Sequence, residues 1–297
     1  MKLKHWLIFL LLGGIWSSSF MWIKIAVQEI GPITLVAFRV LFGLLFGVAV
    51  ILIQRTSLPR RFREWVPLLI LGITNIAIPF FLISWGEQTI DSAVAAILDA
   101  TVPLFTIVLA HMSLHDDQIT LMKGLGLLIG FTGVVLLMSK DLSASASSIL
   151  GEAAVVLASI FYAGSNIFVR KSTEDTPAIL RSAGPLVSAT GAMWPAVALF
   201  ESPVHIPRLP LTWVALLWLG VIGSGFALII NYYLIHEIGP TRTSMVTYLF
   251  PLGGVILGVV FLRETLTWQL VAGAVLILAS LVVANRQPGR KGVVEAG

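Results

Sequence analysis

A single carboxylate interrupts one of the most apolar stretches of the chain. Asp99 lies about eight residues into a hydrophobic run, and Pro103 follows four residues later. A charge near the centre of a bilayer costs about 2.5–3.5 kcal/mol, so an acidic side chain there needs a reason. Pro103 removes one helical hydrogen bond and displaces the carbonyl of residue 99, which leaves polar groups suited to a substrate or a coupling proton. The alternative is a structural Asp99, either protonated or paired with Arg39 or Lys24.

Two basic side chains also fall within apolar runs, but closer to their ends. Arg39 lies about seven residues into its run, and Lys24 lies nearer to an end still. Long basic side chains bury their aliphatic stems and extend the charged head to the interface. We therefore predict structural roles for both, either snorkelling or, for Arg39, pairing with Asp99. The alternative for Arg39 is a counter-ion for a substrate carboxylate.

Amides and aromatic rings in the other apolar runs are further candidates for lining a cavity. An asparagine in hydrocarbon needs partners, which neighbouring helices provide as readily as a substrate does. Trp16 lies in the middle of a run and aligns with Tyr162 in the second half, so the two rings could stack on an apolar or cationic cargo. The predicted substrate-binding residues are Trp16, Asn75, Asp99, Tyr162, Asn166, Asn231, Thr247 and Tyr248, and the predicted kink or gating residues are Pro79, Pro103 and Pro251.

The composition decides what kind of protein must position these residues. Of 297 residues, 57% are hydrophobic and only 11% are charged, whereas soluble domains carry about 25% charged residues. The chain has no cysteine, which excludes disulfides and thiolate metal sites. It also lacks a P-loop and the HExxH and GxSxG motifs. We expect an all-α integral membrane protein that is not an enzyme and that uses no cofactor or metal.

Stretches of about 20 apolar residues are long enough to cross a bilayer as helices. The sequence contains ten of them, at 5–27, 32–53, 65–86, 91–113, 119–138, 150–169, 178–200, 211–235, 241–262 and 266–285. With the N-terminus in the cytoplasm, fourteen of the 19 basic residues lie on the cytoplasmic side, as the positive-inside rule requires. The distribution predicts that both termini are cytoplasmic.

The second half of the chain repeats the first. A shift of 148 residues places the segment from Trp65 to Gly72 on the segment from Trp213 to Gly220, and Pro103 on Pro251. Each copy contains five spans, an odd number, so the second copy must be inverted relative to the first. Inverted repeats that meet at the bilayer midplane are typical of secondary transporters.

Several of these motifs together resemble the EamA-type members of the drug/metabolite transporter superfamily. They are Gly14 to Phe20 with Lys24, Pro32 with Phe38 and Arg39, the Gly72 span, the Pro103 and Pro251 spans, and Glu264 before Gly273. The resemblance covers nearly the whole chain, although Arg39 has no counterpart in the second copy. It implies a ten-helix fold and transport of small metabolites, often amino acids.

The predicted organisation is a first five-helix repeat over 1–140, an inverted second repeat over 149–287 and a cytoplasmic tail over 288–297. We expect a secondary transporter of the cytoplasmic membrane, most simply an exporter working by alternating access. Its partners would be a small metabolite such as an amino acid, protons, the lipid bilayer and a second copy in a homodimer, but no nucleic acid. A passive channel and a lipid-acting membrane enzyme are the alternatives. The polar spans, the first, third, fourth, sixth, eighth and ninth, are expected to line the cavity.

Overall fold

The computed structural model describes residues 3–59, 61–113, 119–139, 146–172, 176–238, 243 and 245–284. Within them the chain forms ten helices: α1 (Leu3–Ala26), α2 (Pro32–Gln54), α3 (Phe62–Gly86), α4 (Ser92–Ser113), α5 (Leu121–Met138), α6 (Ala146–Ser172), α7 (Ala178–Phe200), α8 (210–238), α9 (Met245–Leu262) and α10 (Trp268–Ala284). Each predicted span overlaps one helix. The predicted tail, 288–297, lies outside the described residues.

Length and apolar composition make these helices membrane-spanning. Of the helices in the described ranges, nine have at least 18 residues and are apolar enough to cross a bilayer, and α10 follows with 17 described residues. Their outward faces carry large exposed hydrophobic side chains, for example Leu7, Leu52 and Val135. In water such a surface would aggregate, whereas in lipid it is the expected exterior. The protein is a multi-pass membrane protein, as predicted.

Corresponding helices of the two halves are distorted at corresponding places. The middle of α3 is a π-helical segment, Gly72–Ala77, and the middle of α8 is another, Trp218–Phe226. The 148-residue offset found in the sequence places Gly72 on Gly220, within the second segment. Segments of π-helix are rare and often mark functional sites. Their recurrence at equivalent positions shows that the repeat extends to details of the backbone.

Two carboxylates show that the repeats are inverted. Glu201, at the end of α7, accepts hydrogen bonds from the backbone N–H groups of Ile33 and Thr34 (2.9 and 2.8 Å), at the start of α2. Glu264, just after α9, does the same for the backbone N–H groups of Ser92 and Ala93 (2.7 and 3.0 Å), at the start of α4. The end of each second-half helix therefore meets the beginning of its first-half equivalent. Equivalent helices are antiparallel, which confirms the inverted architecture.

The packing follows this symmetry. α1 contacts α8 and α9, and its equivalent α6 contacts α3 and α4. α5 and α10 pack mainly on each other, with Gly126 and Gly133 facing Ala284 and Gly273 so closely that side chains larger than hydrogen would not fit. α5 and α10 carry almost none of the polar residues of the bundle interior, as expected for a peripheral pair of helices.

One end of the bundle is more tightly packed than the other. Every residue of the first part of α4, Ser92–Asp99, is buried, including Ser92 at the helix terminus. In its second part, Val102–Ser113, only Val102, Leu104 and Ala110 are buried. The part of α4 that begins at Ser92 is therefore packed on all sides, whereas the part after Val102 is partly exposed.

Candidate polar site and its gating contacts

Arg39 of α2 is buried in the centre of the helix bundle. Its side chain is 4% exposed, its Nε donates a hydrogen bond of 3.0 Å to Ser224 Oγ in α8, and its guanidinium lies 3.6 Å from the ring centroid of Phe80 in α3. The predicted snorkelling is therefore wrong, because the head group points inward. α2, absent from the predicted cavity-lining helices, contributes a cation to the interior.

Asp99 lies at the break in α4 and faces α6. The helix ends at Asp99 and resumes at Val102, as predicted from Pro103. The carboxyl is buried next to Ser159, and its Oδ1 has no hydrogen-bond partner among the described residues. Tyr162, one turn further along α6, interacts electrostatically with both Asp99 and Arg39. Asp99, Tyr162 and Arg39 thus form one polar group, which we call the central cluster.

Trp16 joins the first helix to the π-helical segment of the other repeat. Its Nε1 donates to the carbonyl oxygen of Gly223 at 3.1 Å, and its ring packs edge-on against Phe250 of α9. The symmetry-related contact is between α6 and α3, where Ser165 Oγ donates to Thr74 Oγ1 at 3.1 Å. In each case the first helix of one repeat is hydrogen-bonded to the distorted helix of the other.

Two glycines permit close contacts between neighbouring helices at these distortions. A Cβ atom on Gly220 would lie 2.7 Å from the carbonyl oxygen of Arg39, and one on Gly72 would overlap the carbonyl oxygen of Pro185 in α7. These positions correspond through the repeat. Each distorted helix therefore approaches the second helix of the other repeat more closely than any side chain would permit.

Glu87, at the end of α3, is a buried ionisable residue that the sequence did not single out. It is 0% exposed, and neither carboxyl oxygen has a hydrogen-bond partner among the described residues. Burial raises the pKa of this carboxyl well above its ordinary value, against the opposing effect of the nearby Lys24. Lys24 itself donates to the carbonyl oxygens of Glu87 and Ile90, both at 2.7 Å. The head group of Lys24 is thus held by backbone carbonyls of the segment between α3 and α4, at the end of α1.

Three further glutamates connect one repeat to the other at this end. Besides Glu201 and Glu264, Glu29 accepts hydrogen bonds from the backbone N–H groups of Arg208 and Leu209 (2.5 and 3.0 Å) and from Thr212 Oγ1 (2.5 Å), at the start of α8. The hydrogen bond from Thr212 is the main reason that the pKa of Glu29 lies below its ordinary value. We call Glu29, Glu201 and Glu264 the clamps, and the end that carries them and Glu87 the glutamate face.

Each clamp places a negative charge on free backbone N–H groups at a helix N-terminus. Those groups have no partner within the helix and lie at the positive end of its dipole, so a carboxylate is the favoured ligand. Because every clamp crosses between repeats, these contacts must break if the repeats separate at the glutamate face. The basic-residue distribution predicts that this face is external.

The remaining predicted binding residues are dispersed. Asn75 is half-buried in the π-helical segment of α3, Asn231 is half-buried in α8, and Asn166 is exposed on α6. Thr247 is half-buried in a 3-10 turn that opens α9, and Tyr248 donates from its hydroxyl to the carbonyl oxygen of Leu281 in α10 at 3.2 Å. The structure thus brings Asp99 and Tyr162 together, with Trp16 nearby against Phe250, while Asn166 and Tyr248 point elsewhere.

The predicted kink residues all occur at backbone irregularities. Pro79 directly follows the π-helical segment of α3, Pro103 follows the break in α4, and Pro251 follows the 3-10 turn of α9. A proline disrupts helical hydrogen bonding one turn earlier. Each irregularity lies within one or two turns of a predicted polar residue: Asn75, Asp99 and Thr247.

Two grooves open beside these helices. One of about 440 Å³ lies between α3, α4 and α6 and includes Thr74 and Ser165. The other, of about 700 Å³, lies between α2, α3 and α7, and Gln88 and Glu201 line it near the glutamate face. Both are predominantly apolar, so each suits the hydrocarbon part of a molecule rather than an ion.

Both halves of the chain match one protein family. Residues 4–139 and 149–286 each match the EamA-like transporter family. A solved crystal structure superposes on the chain with a TM-score of 0.70 and 19% sequence identity, covering 96% of this chain and 98% of that one. At that identity the likeness shows the fold alone.

Curated relatives are similar along nearly their whole length. The uncharacterized transporter YoaV of Bacillus subtilis is 24% identical over 275 residues, covering 90% of this chain and 91% of the relative. An uncharacterized transporter of Archaeoglobus fulgidus is 25% identical, covering 96% and 100%. The uncharacterized inner membrane transporter YedA of Escherichia coli is 25% identical, covering 92% and 88%.

Proposed function

The chain belongs to the EamA-like transporter family, and from that premise we propose that this cell-membrane transporter exports small metabolites such as amino acids by alternating access. The observation that carries the proposal is the reciprocal contact between the repeats. α1 is hydrogen-bonded to the π-helical segment of α8, and α6 to that of α3. Two inverted bundles in such reciprocal contact can pack in two symmetry-related ways. One packing opens the shared site to one side of the membrane, and the other opens it to the opposite side.

The asymmetric burial supports a carrier rather than a pore. The glutamate face is closed by buried residues and clamps, whereas the other half of α4 is more open. A carrier with inverted repeats is closed at one end and open at the other in each of its two states. A passive channel remains the second candidate, favoured only by the proline-interrupted helices.

The central cluster supports a zwitterionic cargo. Arg39 and Asp99 supply opposite charges in a site removed from water, and Trp16 and Tyr162 supply aromatic surface. A substrate with a carboxylate, an ammonium group and an apolar side chain would match all three features. An amino acid is the simplest such molecule. Protonation of Asp99 is the proposed means of coupling transport to the proton gradient.

Counterflow in proteoliposomes tests the proposal. Vesicles are loaded with one unlabelled amino acid and diluted into the same amino acid in labelled form, across a panel of aromatic, aliphatic and charged members. A carrier accumulates label transiently, because the loaded site returns faster than the empty one. A channel equilibrates the label without overshoot, and that result with every cargo that crosses would contradict alternating access.

Protein-free vesicles serve as the control for leak. Cargo that overshoots with the native protein but not in protein-free vesicles identifies the substrate class. If only apolar, uncharged compounds overshoot, the proposed amino-acid cargo is wrong while the carrier mechanism stands.

A further inference from the structure

Glu87 occupies a site in which a charged carboxylate cannot be stable. It is fully buried, and neither oxygen accepts a hydrogen bond within the described residues. Ionised carboxylates in such surroundings are neutralised by protonation, because burial without a partner penalises the charged form. Burial without a hydrogen-bond partner therefore favours the neutral acid, with a proton on the carboxyl group.

The neighbouring charges do not offer Glu87 an ion pair. Lys24 on α1 is bound to two carbonyl oxygens, and Arg39 on α2 is bound to Ser224 and stacked on Phe80. Both carboxyl oxygens of Glu264 are used in its clamp, and its negative charge also disfavours ionisation of Glu87.

Two acids on the other adjoining helices complete the surroundings. Asp91 precedes α4, and Glu152 lies on α6, where Gly151 packs against Gly86; both acids have interactions of their own. Neither supplies positive charge. The two cations that act on Glu87, Lys24 and Arg39, are thus held by other groups, and Glu264 adds a further acid.

Glu87 lies at the same end of the bundle as Glu29, Glu201 and Glu264, whose contacts join the two repeats. With those contacts intact, Glu87 is buried. If they broke and this face opened, the carboxyl would be hydrated and would regain its ordinary acidity.

We propose that Glu87 is a proton-binding site linked to closure of the glutamate face. Closing takes up one proton from the adjoining water, which converts the hydrated carboxylate to a buried carboxylic acid, and opening releases that proton to the same water. The inference rests on the proposed alternating access, and it assigns the proton of the gate to Glu87 rather than to Asp99. Acid thus holds this face closed and alkali favours its opening.

A thiol reporter measures this opening directly. The chain has no cysteine, so Ser92→Cys places one thiol at a fully buried position beside the Glu264 clamp. The rate at which this thiol reacts with a charged maleimide is measured in nanodiscs for two proteins, one with Glu87 and one with Glu87→Gln. Gln has nearly the same shape as the neutral acid. Because the thiol itself titrates in both proteins, the ratio of the two rates reports only the effect of residue 87.

The proposal predicts that Glu87→Gln reacts slowly at every pH. The ratio of native to variant rate should rise about tenfold or more between about pH 5 and about pH 9, as expected for one linked proton. Glu64→Gln, an exposed glutamate far from this face, should leave the ratio unchanged as the matched control. A constant ratio, or a pH dependence that disappears in Glu152→Gln instead, would overturn the assignment.

The same samples separate this inference from the proposed function. Counterflow with an unchanged reaction ratio removes Glu87 from the gate and leaves the carrier intact. No reaction at any pH in either background, together with no counterflow, rejects the alternating access on which both depend.

Discussion

The Nε1 atom of Trp16 in the first repeat donates a hydrogen bond of 3.1 Å to the carbonyl oxygen of Gly223 in the second. That carbonyl belongs to the π-helical segment of α8, where regular helical hydrogen bonding is interrupted. The bond therefore joins the two repeats at a segment whose backbone departs from regular α-helical hydrogen bonding. Gly223 also lies close to the guanidinium of Arg39, so the bond adjoins the central cluster.

Trp16→Phe keeps an aromatic ring beside Phe250 but removes this hydrogen bond and part of the packed indole. We expect a stability loss of more than about 1 kcal/mol, because lost packing adds to the usual net value of one hydrogen bond, together with a loss of counterflow rate. Thermal unfolding in detergent and counterflow measure the two effects. Trp6→Phe, on the lipid-facing surface of the same helix, should change neither. Equal effects of the two substitutions would contradict a specific role for Trp16.

The close contacts of the distorted helices predict that Gly72→Ala and Gly220→Ala destabilise the protein. Each added methyl group would collide with backbone or Cβ atoms of the other repeat, and overpacking of this kind costs about 1–3 kcal/mol. The melting temperatures of the purified variants measure the cost. Gly164→Ala and Gly191→Ala, where an added Cβ meets nothing within 4 Å, should be neutral or slightly stabilising. A melting temperature unchanged in all four would show that the contacts are looser than described.

Asp99→Asn should abolish transport or uncouple it from pH while the protein still inserts in the membrane. The substitution preserves the shape beside Ser159 but removes the group that can exchange a proton. Counterflow at several pH values, with membrane abundance as a control, checks the outcome. Asp91→Asn, at the end of the same span, is the matched substitution. Normal pH-dependent flux in Asp99→Asn would remove this carboxyl from the coupling mechanism.

The Glu29 clamp predicts loss of stability in acid. Because its pKa in the folded protein is lowered from the ordinary 4.5, its contribution is complete above that pH and disappears as the pH falls through the lowered value. The difference in melting temperature between the native protein and Glu29→Gln should therefore shrink below about pH 4. Glu64→Gln provides the baseline. A difference that grows on acidification would mean that Glu29 is not held as a carboxylate.

Hydropathy and repeat symmetry predicted most of the fold. The spans follow from the need to satisfy the backbone within helices, and the inversion follows from an odd number of spans per copy. The breaks near Pro103 and Pro251 were predicted because proline removes a helical hydrogen bond. The π-helical segments were not, since no pattern within a single helix marked them; they coincide with close contacts between repeats, such as that of Gly220 with Arg39.

The candidate site was predicted less completely. Asp99 and Tyr162 were found because polarity within an apolar run is conspicuous. Glu87 was missed because it lies one residue beyond its span, where glutamates are ordinarily solvated, and its burial depends on tertiary packing. Arg39 was assigned to the interface because it lies only about seven residues into its span. Distance from a span end does not report depth when neighbouring helices and loops close over that end.

The central claim is that the repeats exchange two packings, so that one end of the bundle opens as the other closes. Spin labels on Gln88 and Leu266 span the glutamate face, and labels on Leu121 and Met245 span the opposite end; all four residues are exposed. Double electron–electron resonance gives both distances with and without the cargo identified by counterflow. Alternating access predicts that cargo lengthens one distance and shortens the other, and changes in the same direction, or in neither, would contradict it.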